Sequence, residues 1–285
     1  MRRFELLVNE VRESTDTQDI NSVGVYEVMR YFNDAQKQIQ KIIFTANPSA
    51  DIFVTTANYD IAGSSAKEFD LPFDIYAHNS VISLHSFNGS SITRLANRER
   101  STLYGYALVD KQFLLGFEPQ EDLVLNYVYK LPVLSYRLGK ISAIDTVTGI
   151  VTIDGASLIA DEGFSDRYDD FSIVSSKGVQ KATQLELTNF AGLDFTFTGT
   201  LTGVSVGDYI VCGESGTSHS LLSDECEPFL MAYVQRRILN KISSAEVATE
   251  NIFSETERMD LEDLFKDNIK DALYPVSSDN DYLGY

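Results

Sequence analysis

The residues able to do chemistry in this chain are few and scattered. "CGESGTSHS" sets Cys212 and His219 seven positions apart, the residue types of a thiolate–imidazole couple. Cys212 sits in an apolar run, where a thiol is ordinarily inert packing. The same stretch resembles a Gly-x-Ser-x-Gly nucleophile elbow only loosely, because its spacing is wrong. His78, His85 and His219 each lack a second His or Cys at metal-ligand spacing. Asp161, Glu162, Asp166, Asp169 and Asp170 put five carboxylates within ten residues. Such a set could hold Ca²⁺, which favours many oxygen ligands, but it lacks the EF-hand pattern and reads more simply as a solvated loop. No phosphate loop or dinucleotide fingerprint is present, since the glycine-rich segments fall in turns between strands. The expectation is no catalytic residue, no metal site and no cofactor: a protein that is not an enzyme.

Composition narrows the class further. The 285 residues are 44% apolar, enough for a sizeable core, and carry 15 Tyr and 17 Phe but no Trp. Forty-two acids stand against 23 bases, a net charge of −19, and the longest basic run is "RER" at Arg98–Arg100. Tight nucleic-acid binding needs clustered Lys and Arg and is disfavoured. The acidity fits plain solubility, or a wall past which DNA slides without adhering. Two cysteines make no disulfide framework, so both are expected as reduced thiols, one in a strand and one at a helix start. "MRRFELLVNEV" begins like a signal peptide, but Glu5, Asn9 and Glu10 interrupt the apolar run. No stretch reaches the roughly 18 apolar residues that a membrane span needs.

The elements that position these residues follow from periodicity. Phe4, Leu7, Val8 and Val11 mark a short amphipathic helix. After a polar loop, with Ser22 or Asn21 as a cap, Val28, Tyr31, Phe32, Ala35, Ile39, Ile42, Ile43 and Ala46 mark a longer one over 25–46. Asn47-Pro48 ends it. From Ile52 the period becomes two, in "DIFVTTANYDI", "AKEFDLP", "SVISLHSF", "QFLLGF" and "LVLNYVYKLP". The last is apolar on both faces, as a central strand would be. Five further strands from Leu138 onward, with turns at Thr148-Gly149 and Ala191-Gly192, predict a small barrel or sandwich. The helical period returns at Ser223, with Asp224 as a cap, Pro228 in the first turn, and Leu230, Met231, Val234, Ile238, Leu239 and Ile242 on one face. Ser243 and Glu246 read as a capping box opening a last helix. "VSSDNDYLGY" follows Pro275 as a polar tail with Tyr282, Leu283 and Tyr285.

The fold class is therefore α+β: a helical bundle from the N- and C-terminal helices, a β-rich middle, and an inserted small β-barrel or sandwich. Residues 1–50 and 223–273 form the bundle, 51–137 a β meander packed on it, 138–222 the inserted module, and 274–285 an extended tail.

"FELLVNEVRESTDTQD" followed by "VGVYEVMRYFNDAQKQIQKIIF" resembles the N-terminus of head-to-tail adaptor proteins of tailed bacteriophages. Leu7, Val8, Asn9, Glu10, Val11 and Arg12 match a first "LVNEVR"-like helix. Tyr31, Phe32, Asn33, Asp34, Ala35 and Gln36 match the "YLN-AQ"-like core of the second. "KEFDLPFDI" (67–75) is similar to the strand-Leu-Pro segment of larger adaptors of short-tailed phages, of the tail tubular protein A type. The likeness is clearest over about the first 75 residues. The β-rich middle departs from the nearly all-helical small adaptors, and the resemblance assigns no role to 138–212.

The resemblance implies a structural virion protein at the neck, assembled in the host cytoplasm. It would form a ring, usually of twelve copies, that joins the portal protein to tail or nozzle proteins and lines part of the channel that DNA crosses during ejection. Tyr274, Tyr282, Leu283 and Tyr285 would bind the portal. Asn33, Gln36, Lys37 and Gln40 become candidates for contacts between subunits, with ordinary solvation as the rival account. Two other classes stay open: a phage or cell-surface binding module whose β insert takes glycan or protein, and a metal-assisted hydrolase built on Asp161–Asp170.

Overall fold

A computed structural model describes residues 2–17, 23–48, 51–61, 66–77, 80–87, 89–94, 105–155, 168–243 and 252–266. The α+β class holds: helices at both ends of the described chain enclose β-rich segments. The chain divides into two compact units. The first comprises 1–38 and 130–252, the second 39–129 and 253–285.

In the first unit, helix α1 (Phe4–Ser14) buries Phe4, Leu7, Val8 and Val11, the four positions of its apolar period. Its buried Arg12 donates to the carbonyls of Thr17 (3.1 Å) and Val23 (2.9 Å), a use of charge that periodicity does not announce. Helix α2 (Val25–Ala46) has the predicted bounds, and its residues up to Gln38 belong to this unit. Phe4 meets Phe32 edge-on at 5.2 Å and Tyr136 at 4.9 Å. Helix α3 (Glu227–Ile242) packs against α1, and Gln235 donates to Ser14 Oγ at 2.9 Å.

Two expectations for α3 fail. Its N-cap is Cys226, not Asp224, and no side chain caps it; Pro228 does sit in its first turn. Leu239 and Ile242 are each 49% exposed, while Tyr233 takes a buried place beside Leu230, Met231, Val234 and Ile238.

The rest of the first unit is β structure: β8 (Arg137–Asp145), β9 (Ile150–Ile153), β10 (Asp170–Val174), β11 (Gln180–Ala191), β12 (Asp194–Thr198) and β13 (Tyr209–Cys212). All pairings are antiparallel, and the order β10-β11-β12-β9-β8-β13 closes on itself. Inward side chains, among them Leu138, Val151, Phe171, Ile173, Leu185, Phe195 and Ile210, are buried. Five strands were expected. The sixth, β10, begins at Asp170 inside the acidic stretch read as a loop. At the β8–β9 turn Gly149 has φ +72, and a Cβ there would lie 2.4 Å from the Phe197 carbonyl oxygen, so only glycine fits.

The second unit holds β1 (Val54–Tyr59), β2 (Glu68–Asp70), β3 (Val81–Ser86), β4 (Ser91–Arg94), β5 (Gly105–Val109), β6 (Gln112–Leu115) and β7 (Leu123–Val128). They form one sheet in the order β1-β7-β3-β4-β5-β6-β2, antiparallel except for β4–β5. β7 lies between β1 and β3, as its two-sided apolar character required. Leu84, Phe113, Leu123 and Leu125 lie at the centre of the core. Tyr59 of β1 packs edge-on against Phe69 of β2 (5.8 Å) and Phe113 of β6 (5.1 Å), so the sheet curls until its outer strands meet around that core.

Helix α4 (Glu255–Lys266) belongs to this unit and buries Leu261 and Phe265. Asn47, just past α2, donates to the Phe265 carbonyl at 3.2 Å. The capping box is Ser254 with Glu257: Ser254 N–H donates to Glu257 Oε2 (2.9 Å), and Glu257 N–H to Ser254 Oγ (3.3 Å). Ser243 instead caps the end of α3, and Glu246 lies outside the described residues. No helix among the described residues is long and apolar enough to cross a membrane.

Candidate functional site

Helix α2 carries three stripes. The apolar stripe, from Val28 through Phe32, Ala35 and Ile39 to Ile43, is buried. Beside it run three amides at positions 33, 36 and 40, a spacing of 3 and 4 that places them on one edge of the helix. Beside these runs a charged stripe at 27, 30, 34 and 37, again at spacings of 3 and 4.

The amide stripe is spent inside the chain. Asn33 Nδ2 donates to the carbonyls of Met29 and Leu134, both at 2.9 Å. Its Oδ1 accepts the Leu134 N–H at 2.8 Å, so the side chain binds that residue's N–H and C=O together. Gln36, 2% exposed, donates to the Pro132 carbonyl at 2.7 Å. Gln40, 1% exposed, donates to the Tyr129 carbonyl at 2.7 Å within the second unit. Residues 130–133 lie outside the strands, so their backbone groups need partners from elsewhere. Gln36 supplies one for the Pro132 carbonyl and the Thr217 N–H one for the Val133 carbonyl (2.8 Å), while Asn33 and Gln40 hold Leu134 and Tyr129 on either side. Of the four residues expected at a subunit interface, Gln36 and Gln40 are therefore internal braces, Asn33 is half-buried and engaged, and Lys37 is exposed.

The charged stripe faces an open groove of about 730 Å³, lined by Tyr26, Glu27, Arg30, Asp34, Lys37 and Val133, with Asn33 and Tyr168 completing its wall. All of these belong to the first unit. Glu27 is the best-tied of them. It accepts from Lys241 and from the Tyr31 hydroxyl (2.5 Å), and Arg30 lies 3.9 Å away. Burial pushes its carboxyl up, but the bonds from Lys241 and Tyr31 outweigh this and hold it below the usual carboxylate range. Tyr31 is pushed up to about 12 by burial and by the Glu27 bond, and Arg237 lies 4.8 Å over its ring. Asp34 and Lys37 have no ion-pair partner among the described residues.

Among the described residues, Cys212 and His219 are not hydrogen-bonded to each other. Cys212 is buried in β13, its N–H bonded to Ser135 Oγ (3.0 Å), and burial pushes its thiol up to about 12. A thiol so placed stays protonated at neutral pH and is a poor nucleophile. Cys226 is likewise buried, its thiol raised by burial. His219 has its Nδ1 3.1 Å from Ser218 Oγ and its ring against the Gly178 turn. Burial and Arg137 hold this imidazole below its ordinary value.

Asp161, Glu162 and Asp166 lie outside the described residues, as do His78 and the tail residues Tyr274, Tyr282, Leu283 and Tyr285. Asp170 opens β10; burial raises its carboxyl, and Glu214, Asp169 and Glu186 add to this. Among the described residues no group of three or more His, Cys, Asp or Glu is gathered to hold a metal. The alternation of charge along α2 is legible in the sequence as Glu27, Arg30, Asp34 and Lys37, but the spacing does not say that this face borders a groove. Comparison with protein-family models gives no match, and neither does comparison with curated proteins.

Proposed function

We propose that this chain is a structural component of a phage neck: a head-to-tail adaptor that assembles as a ring, joins the portal to the tail and lines part of the DNA channel. The observation that carries the proposal is α2. Its sequence resembles the long adaptor helix, and its side chains are allotted to packing, internal bracing and one open charged groove. On this reading α1, α2 and α3 form a bundle, the closed strands β8–β13 are a module inserted into it, and residues 274–285 reach the portal through Tyr274, Tyr282, Leu283 and Tyr285. The contact between subunits falls to the groove side of α2, with Lys37, because Asn33, Gln36 and Gln40 are occupied within the chain. A net charge of −19 suits a channel wall that DNA crosses without adhering.

Light scattering of the free chain, then of the chain mixed with the portal ring of the same virus, tests this. A co-eluting assembly whose added mass corresponds to a closed ring is expected. A chain that stays apart from the portal at every ratio contradicts it.

A further inference from the structure

The charged stripe of α2 has an internal symmetry. Glu27 and Lys37 stand five residues either side of Phe32, and Arg30 and Asp34 two residues either side of it. Reversing the helix therefore exchanges each acid for a base. We propose that the groove along α2 takes a second copy of this chain, with the two α2 helices antiparallel about a two-fold axis on the charged face, level with Phe32 along the helix. Arg30 of each copy then faces Asp34 of the other, and Glu27 of each faces Lys37 of the other.

Geometry and charge both favour this occupant. The four positions share one face, at the spacing that antiparallel helices use to meet. At about 1.5 Å per residue the outer pair spans about 15 Å of helix and the inner pair about 6 Å, so all four contacts fit within three turns. Asp34 and Lys37 lack an ion-pair partner among the described residues, and the Arg30 side chain is 65% exposed, held by a 3.9 Å contact to Glu27 and a position 5.7 Å from the Tyr31 ring centre. Tyr26 and Val133 supply apolar lining against which the long stems of Arg30 and Lys37 can pack. For a chain of charge −19, a second copy is a repulsive partner in general. This stripe, balanced in sign, is where that repulsion is locally reversed.

The contact is isologous and closes at two copies, so it cannot itself extend into a ring. If the chain is an adaptor, the pair is a state that the free protein leaves when it assembles on the portal. The proposal does not depend on that reading, and its test uses the free full-length chain alone.

The experiment is a charge exchange read by light scattering and sedimentation at low salt. Wild type is expected at twice 31.8 kDa, dissociating in about 1 M salt, where the screening length falls to about 3 Å. Arg30→Asp places acid against acid across the axis, and Asp34→Arg places base against base. Each variant alone should dissociate at least about tenfold more readily. Mixed in equal amounts, the two variants should form a heterodimer, because both inner contacts then set an acid of one variant against a base of the other. The double exchange Arg30→Asp with Asp34→Arg should restore the homodimer. Circular dichroism of each variant checks that it folds, and the mixing arm keeps the test valid if one is less stable. A wild-type monomer at every concentration, a mass above two copies, or folded variants that fail to pair on mixing would each overturn the proposal. None of these results touches attachment to a portal, which is read separately.

Discussion

Replacing Gln36 by Met separates two accounts of the polar edge of α2. Methionine keeps the length and nearly the volume of the side chain but cannot donate to the Pro132 carbonyl, now bonded at 2.7 Å. Gln36 is 2% exposed, so water cannot easily replace the lost donor. An unsatisfied buried acceptor costs about 1–3 kcal/mol. For a domain of 150–250 residues each 1 kcal/mol lowers Tm by about 2–4 °C, so Gln36→Met should lower it by roughly 2–12 °C. Lys37→Met, one position along but exposed, should stay within about 0.5 kcal/mol of wild type in about 1 M salt, where any contact between copies through the charged stripe is screened. Thermal and urea unfolding followed by circular dichroism, with light scattering on the same samples, gives both readouts. Gln36→Met with unchanged stability and altered self-association would refute the bracing role and return Gln36 to an intermolecular surface. Equal destabilisation by both variants would show that the burial difference is not what matters.

Other perturbations have equally definite outcomes. Gly149→Ala meets both a left-handed backbone and the Phe197 carbonyl, whereas Gly192→Ala, at φ +66 with nothing within 4 Å, meets only the backbone cost of about 1–2 kcal/mol; chemical denaturation should rank Gly149→Ala clearly lower. Ser254→Ala removes half of the capping box of α4 and should cost about 1 kcal/mol, seen as faster amide exchange in the first turn of that helix. The imidazole of His219 is held below its ordinary 6.5 by burial and Arg137, with Arg3 and the N-terminus adding to this and Glu5 opposing it. Between the depressed folded value and 6.5 the unfolded chain binds more protons, so this group contributes stability that is present above pH 6.5 and lost as pH falls through the folded value. His219→Gln should therefore flatten the fall in stability between pH 7 and pH 5, and a slope identical to wild type would remove His219 as its source. Deleting 274–285 should leave the circular dichroism spectrum unchanged and weaken portal attachment; undiminished attachment would show that Tyr282, Leu283 and Tyr285 are not the anchor.

Periodicity made the long helices legible because packing and pattern agree there: α2 runs from Val25 to Ala46, about one turn beyond each end of its buried stripe from Val28 to Ile43. The β5–β6 hairpin was not legible. Its turn is Asp110-Lys111, with Asp110 itself at φ +52, so the glycine or proline that usually signals a turn is missing. The start of β10 was hidden by Asp169 and Asp170, whose charges suggested solvent although Phe171, Ser172 and Ile173 behind them are buried. Ser243 with Glu246 satisfied the capping pattern as well as Ser254 with Glu257 did, and spacing alone could not choose between two valid boxes. The amides of α2 were misjudged for a related reason. Polarity suggests exposure, whereas Pro132 lies outside the strands and its carbonyl draws the Gln36 amide inward.

The adaptor reading stands or falls on what the chain does beside a portal. Electron microscopy of the chain mixed with the portal ring of the same virus is the direct measurement. The account predicts a second ring stacked coaxially on the portal, with the closed strands β8–β13 repeated once per subunit and an open channel through both. Bare portal rings, with the chain left free in solution at saturating concentration, would contradict it.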